Sequence, residues 1–111
     1  MAVPCWYSDS KTLIVKGANS DAIRLFGYSA EELIGISFLG LFAAPDAHRV
    51  LDIRKEQKWG PVGSFTFARK DGSVFSAGIR WHQGEYRGTI CDCFIITEID
   101  AHTNVSINVF N

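Results

Sequence analysis

Residues 19–35, NSDAIRLFGYSAEELIG, decide the fold class, because two short helices and both their stop signals are legible in them. Asn19 or Ser20 can cap the first helix by accepting a free backbone N–H of its first turn. Ala22, Ile23, Leu25 and Phe26 give that helix one apolar side, and Gly27 stands where a helix ends in the left-handed conformation. Ser29-Ala-Glu-Glu32 then forms a capping box, the serine taking the amide of Glu32 and the glutamate reaching back to the cap amide. Leu33 and Ile34 supply an apolar turn, and Gly35 stops it. Two such helices in succession, joined by Gly27-Tyr28, are a specific pattern.

Before this stretch, Ala2–Ser8 reads as a strand, Asp9-Ser10-Lys11 as a turn and the β-branched Thr12–Lys16 as a second strand. After it come a third turn, Phe38–Phe42, and one long helix, Pro45–Gln57, with proline at a first helical position. The long helix turns Ala47, Val50 and Leu51 to one side and keeps Arg49, Lys55 and Glu56 wet, and Gly60-Pro61 breaks it. From Val62 the apolar period becomes two. Phe65–Arg69 and Ser73–Trp81 flank Lys70-Asp71-Gly72, and a three-residue loop with Gly72 left-handed pairs Phe67 with Phe75 and Phe65 with Ala77. A two-residue Asp-Gly turn would put Phe67 and Phe75 on opposite faces, so aromatic coherence selects the longer loop.

Gly84-Glu85 suits a type II′ turn, which pairs Gln83 with Tyr86, Ile79 with Ile90, Ala77 with Asp92 and Phe75 with Phe94. The face Phe75, Ala77, Ile79, Trp81 then meets Ile90, Asp92, Phe94 and Ile96. An unpaired carboxylate on that face is costly, so Asp92 needs a ligand, Trp81 or another donor. In the register shifted by one residue, Cys91, Cys93 and Ile95 face inward and Asp92 is solvated.

The bulk numbers narrow the class. A chain of 111 residues is one domain with a single core, and 47% apolar with 21% charged residues is globular. No apolar run approaches the roughly 18–20 residues of a membrane span. A formal charge of −1 lacks the basic excess of a general nucleic-acid binder. Three cysteines, an odd number, and no signal-peptide pattern point to a reducing, cytoplasmic setting.

Two strands, a cluster of short helices, one longer helix and three antiparallel strands make an α+β domain whose helices cover one face of the sheet. This order resembles the PAS domain family over residues 3–100. The resemblance is carried by Asn19-x-x-Ala22, by Phe26–Gly35, by Pro45-Asp46, by Arg69-Lys-Asp-Gly72 ahead of Phe75, and by Thr97-Glu98-Ile-Asp100. It implies a PAS fold, a five-stranded antiparallel sheet enclosing a cavity under its helices. It also implies a sensor of small ligands, cofactors or light, or a dimerisation module, in a signalling protein of bacterial type. Its effector would be a histidine kinase, a cyclase or a DNA-binding domain. The expected organisation is one PAS domain over residues 1–104. A tail, 105–111, follows, in which Val105–Val109 alternates like an added strand or is a truncated linker.

The family's light-sensing flavin members carry a cysteine in an Asn-Cys-Arg-Phe-Leu-Gln motif on a helix, whereas Cys5, Cys91 and Cys93 here read as strand residues. Flavin is therefore not expected. Haem-type members place a histidine on the long helix about four residues past the position of Asp46, where this chain has Val50. His48 lies two residues past it, about 200° of helix rotation from the start of that interval, and reads as a surface residue. Haem is not expected either. A metal at Cys91-x-Cys93 with His82 lacks the second ligand pair that zinc sites offer, and no nucleophile or phosphate loop marks an enzyme.

The candidate ligand site is thus an apolar pocket between helices and sheet. Phe26, Ile34, Phe38, Leu41, Phe42 and Val50 face it from the helical side. Phe65, Phe67, Phe75, Ala77, Ile79, Trp81, Phe94 and Ile96 face it from the strands, with Asp92 among them. Ala77, with Gly63 and Gly78 nearby, would leave room among the large rings. A core filled by Trp81, Phe75 and Phe94 would instead point to a ligand-free interaction module. The opposite sheet face, with Val74, Cys91, Cys93 and Ile95, is apolar enough to serve as a homodimer surface.

Overall fold

A computed structural model describes residues 3–56 and 60–99. Its elements run β1 (Cys5–Asp9), β2 (Val15–Ala18), α1 (Ser20–Phe26), α2 (Ala30–Leu33), a 3-10 turn at Phe38–Leu41, α3 (Ala44–Glu56), β3 (Gly60–Ala68), β4 (Val74–Tyr86) and β5 (Thr89–Ile99). The strands form one antiparallel sheet in the order β2-β1-β5-β4-β3, with the helices on one face. The α+β class and the five-stranded sheet expected from the sequence are both present. Ala2, Gln57, Asp100 and the tail 105–111 lie outside the described residues.

The opening stretch folds as its caps dictate. Asn19 Oδ1 accepts from Ala22 N, and Gly27 closes α1 at φ +81°. Ser29 and Glu32 make the reciprocal capping box of α2. The β3–β4 hairpin then ties the pair down. Lys70 N donates to the carbonyl of Phe26, Arg69 Nε to that of Leu25, and Lys70 Nζ meets Glu32 at 2.6 Å. That hairpin has the three-residue loop read from the sequence, with Phe67 opposite Phe75, Phe65 opposite Ala77 and Gly72 at φ +89°.

Four readings need correction. The strand at Thr12–Lys16 starts later, because residues 10–13 stay in a turn whose amides at Lys11 and Thr12 bind the Asp9 carboxylate and whose Leu13 sits at φ +66°. The period-two segment read from Val62 starts earlier, because β3 already opens at Gly60-Pro61 after the end of α3. Ile34 does not face inward: α2 ends at Leu33, which is fully buried, and Ile34 follows as an extended cap 46% exposed.

The fourth correction is the β4–β5 turn. It falls at Arg87-Gly88, with φ +50° and +80°, and not at Gly84-Glu85. Positive φ at both central residues is the type I′ hairpin geometry, and Tyr86 pairs with Thr89. Ile79 therefore pairs with Ile96 instead of Ile90, Trp81 with Phe94, and Gln83 with Asp92; neither the Ala77–Asp92 nor the Phe75–Phe94 pairing forms. From Ile90 to Ile96 is six residues, an even slip, so every side chain keeps its face. Asp92 points inward as expected, and is fully buried.

The core lies between sheet and helices. Its centre is Trp6 of β1, which stacks on Phe94 at 5.2 Å and meets Phe26, Phe42 and Phe67 at ring separations of 5.5, 6.5 and 6.2 Å. Trp6→Ala should cost about 3–5 kcal/mol in urea unfolding. The turn reassignment has its own check in thermal melts. Gly88→Ala should lose about 1 kcal/mol for its left-handed backbone, whereas Gly84→Ala, with open space around the added methyl, should be neutral or mildly stabilising.

Candidate functional site

The inner face of the sheet is built in cross-strand rows. Trp6, Phe94 and Trp81 form one row across β1, β5 and β4, and Ser8, Asp92 and Gln83 form the next. The first row is wholly aromatic, with Trp81 parallel to Phe94 at 6.2 Å. The second is polar. It sits under the last turn of α3, where Arg54 reaches down.

Arg54 Nε donates to Asp92 Oδ2 at 2.8 Å, and Nη2, 2.7 Å from the same oxygen in the ion pair, donates to the carbonyl of Ser10 at 2.8 Å. The other carboxylate oxygen receives, among the described residues, a long contact of 3.4 Å from Gln83 Nε2. The Arg54 side chain is 18% exposed and its guanidinium carbon lies 5.8 Å from the Phe38 ring centre. The buried Ser8 hydroxyl has no hydrogen-bond partner among the described residues. Taking two charges out of water is costly, so the pair holds by geometry: Nε bonds Asp92 Oδ2 with Nη2 close beside it, and the Nη2 bond to Ser10 ties the guanidinium to the β1–β2 turn.

The fifteen candidate pocket residues do converge, with one exception. Phe26, Phe38, Leu41, Phe42, Val50, Phe65, Phe67, Phe75, Ala77, Ile79, Trp81, Asp92, Phe94 and Ile96 are all buried, while Ile34 is on the other side of the sheet edge. Their rings interlock. Phe67 stacks on Phe75 at 5.3 Å, Phe42 lies 4.7 Å from Phe67, and Phe38 lies 5.0 Å from Phe94. Gly78 does not open the space expected of it, since a Cβ there would meet Thr97 Oγ1 at 2.9 Å.

Two functional residues were not singled out from the sequence. Trp6 belonged to a short aromatic strand with nothing to mark it as central. Arg54 did carry a signal: it follows Val50 by four residues, so a cation shares the buried side of the helix with the residue that enters the core.

The outer sheet face holds shallow concavities. One, of about 230 Å³, is lined by Tyr7, His82, Gly84, Glu85, Tyr86, Cys91 and Cys93. Another, of about 400 Å³, runs from Cys5, Tyr7 and Tyr86 over Gly17 to Ile34. Tyr7 and Tyr86 pack at 4.3 Å, and Tyr7 covers Gly17 so closely that an added Cβ would fall 2.3 Å from its ring. Cys91, expected on the open face, is buried there, while Cys93, Ile95 and Val74 are half-buried. Burial pushes all three thiols above their ordinary range, which disfavours the reactive thiolate. The cysteines lie on β1 and β5, as read from the sequence. His48 is exposed on α3, and Val50 is that helix's buried residue.

A family model described as PAS domain matches residues 3–101. Among solved structures, the PAS domain of a Desulfitobacterium hafniense protein superposes with a TM-score of 0.72 at 19% identity, covering 88% of this chain and 93% of that one. A PAS domain from a two-component sensor histidine kinase gives 0.69 at 14%, covering 86% and 84%. The Rhodobacter sphaeroides LOV protein gives 0.70 at 17%, covering 88% and 60%. At these identities the likeness is one of fold. No curated protein sequence matches the chain.

Two outcomes follow. Asp92→Ala, which leaves Arg54 without its buried partner, should cost about 3–5 kcal/mol in chemical denaturation. Burial and the hydrogen bond with Tyr86 push the Tyr7 phenol up to about 12 from 10.0. The fold therefore favours neutral Tyr7. Its contribution is complete below pH 10 and is lost as pH rises toward 12. Melting temperature against pH should fall across that window, and Tyr7→Phe should flatten the fall.

Proposed function

This chain belongs to the PAS domain family, and on that premise we propose that it is the sensor piece of a signalling protein that works through its outer sheet face. PAS domains are sensor or interaction modules, generally non-catalytic, and typically joined to effector domains. The observation that carries this reading is the interlocked interior: Trp6, Trp81 and the phenylalanines fill the space where a bound molecule would lie. The apolar contact surface on offer is outside, around Tyr7, Tyr86, Cys93, Ile95 and the outward Ile34. Its partner is a second copy of the domain, in an arrangement that would bring two effectors together. A kinase effector is supported by the likeness to the histidine-kinase PAS domain, and the domain itself spans residues 1–104 with 105–111 as a tail. Free thiols on the outer face of β1 and β5 fit a cytoplasmic setting, and no described helix is long and apolar enough to cross a membrane.

A second reading, a small ligand held between helices and sheet, is favoured by the buried Ser8 and Asp92 in an otherwise apolar interior, with the exposed Gln83 at the end of their row. Phe38, Phe94, Trp81 and Asp92 would then line its site. It would show as a co-purifying small molecule released on denaturation and detected by mass spectrometry.

Sedimentation equilibrium tests the first reading. The wild-type protein should dimerise with a dissociation constant below about 100 µM. Tyr86→Glu, on the exposed hairpin, should be monomeric with an unchanged far-ultraviolet spectrum. A wild-type monomer throughout that range, or a Tyr86→Glu dimer as tight as wild type, would sink the proposal.

A further inference from the structure

The helix α3 is fastened to the sheet differently at its two ends. At its start, Ala43 N donates to the carbonyl of Thr66, and Asp46 Oδ2 accepts from Thr66 N at 2.6 Å. Phe42 bridges Phe67 one residue on, so this end is stitched to the β3 backbone. In the middle, Val50 is the one buried residue among the thirteen of α3, with Ala47 and Ile53 packed partly against the core. At the far end Arg54 crosses to β5 and to the β1–β2 turn.

We propose that α3 is a hinged strap, pinned to β3 at its first turn and latched to the centre of the sheet by Arg54 on Asp92. Three features make the latch a two-state element. The bond from Nε to Asp92 and the bond from Nη2 to Ser10 come from one rigid guanidinium, so they form and break together. The partner carboxylate is fully buried, so a half-open pair leaves a charge without compensation, and intermediate positions are disfavoured. The guanidinium stays partly exposed and lies over Phe38, so its departure wets the mouth between α3 and the β1–β2 turn and uncovers the edge of the aromatic core. The hinge needs no new conformation at Asp46, whose bonds to β3 are independent of Arg54. This device concerns movement within one domain, so it stands or falls apart from the dimer proposed above.

Hydrogen exchange of backbone amides tests it. Arg54→Gln alone strands the buried carboxylate and risks unfolding, so the working variant is R54Q/D92N, which removes both charges and keeps polar side chains of similar shape. Amides of residues 51–56 should exchange about tenfold faster than in wild type, while those of Ala47 and of Phe94 and Ile96 stay within about twofold. A uniform acceleration across the domain would mean that the pair only adds global stability, and no acceleration would mean that it latches nothing. Either result overturns the proposal. The wild-type protein alone can also overturn it, if residues 51–56 exchange only through the same global opening as Phe94.

Discussion

The stacking of Trp6 on Phe94 is the contact on which the rest of the structure depends. It joins the first strand of the chain to the last, in the middle of the sheet, and every other ring of the core is arranged about it. Until β5 exists, β1 has only the four residues of β2 to pair with and no aromatic floor to lie beside. The lid of α1 and α2 meets the same need, since Phe26 packs edge-on against the Trp6 ring. A sheet closed by its most distant strands has a high proportion of non-local contacts, which sets a slow folding pace relative to helical domains of this size.

Local signals in this chain were legible, and the long-range ones were less so. The caps at Asn19, Gly27, Ser29 and Glu32 were readable because each involves atoms a few residues apart, and the PAS resemblance they support was confirmed by the family match. The Lys70–Gly72 loop was readable because two phenylalanines had to share a face. The β4–β5 turn was not, since Gly84 looks like a turn glycine and Arg87 does not, and only the positive φ of Arg87 reveals the choice. The error left the faces intact because it was even. Ile34 shows the opposite case: a one-residue difference in where α2 ends reversed it. Arg54 and Trp6 escaped notice because their roles come from partners thirty-eight and eighty-eight residues away along the chain, Asp92 and Phe94.

The division between the faces organises the chemistry. Inside, polarity is confined to one row, and its carboxylate is neutralised by a helix, so the interior is electrically balanced without any other molecule. Outside, Tyr7 and Tyr86 lie beside the thiols of Cys5 and Cys93, and burial favours the neutral forms of Tyr7 and of both thiols. Neutral rings and thiols at the centre of such a surface suit contact with another protein, because they are less costly to desolvate than charges.

The placement of β1 beside β5 has a mechanical consequence. The strands are antiparallel, with Cys5 opposite Ile95, so the chain enters and leaves the sheet at the same end. Force transmitted along the polypeptide would pull these two strands apart from that end, loading their hydrogen bonds one after another instead of all at once. Such an arrangement yields under small tension, like a zip opened from its tab. A sheet loaded in this way yields at lower tension than one whose terminal strands are pulled in shear.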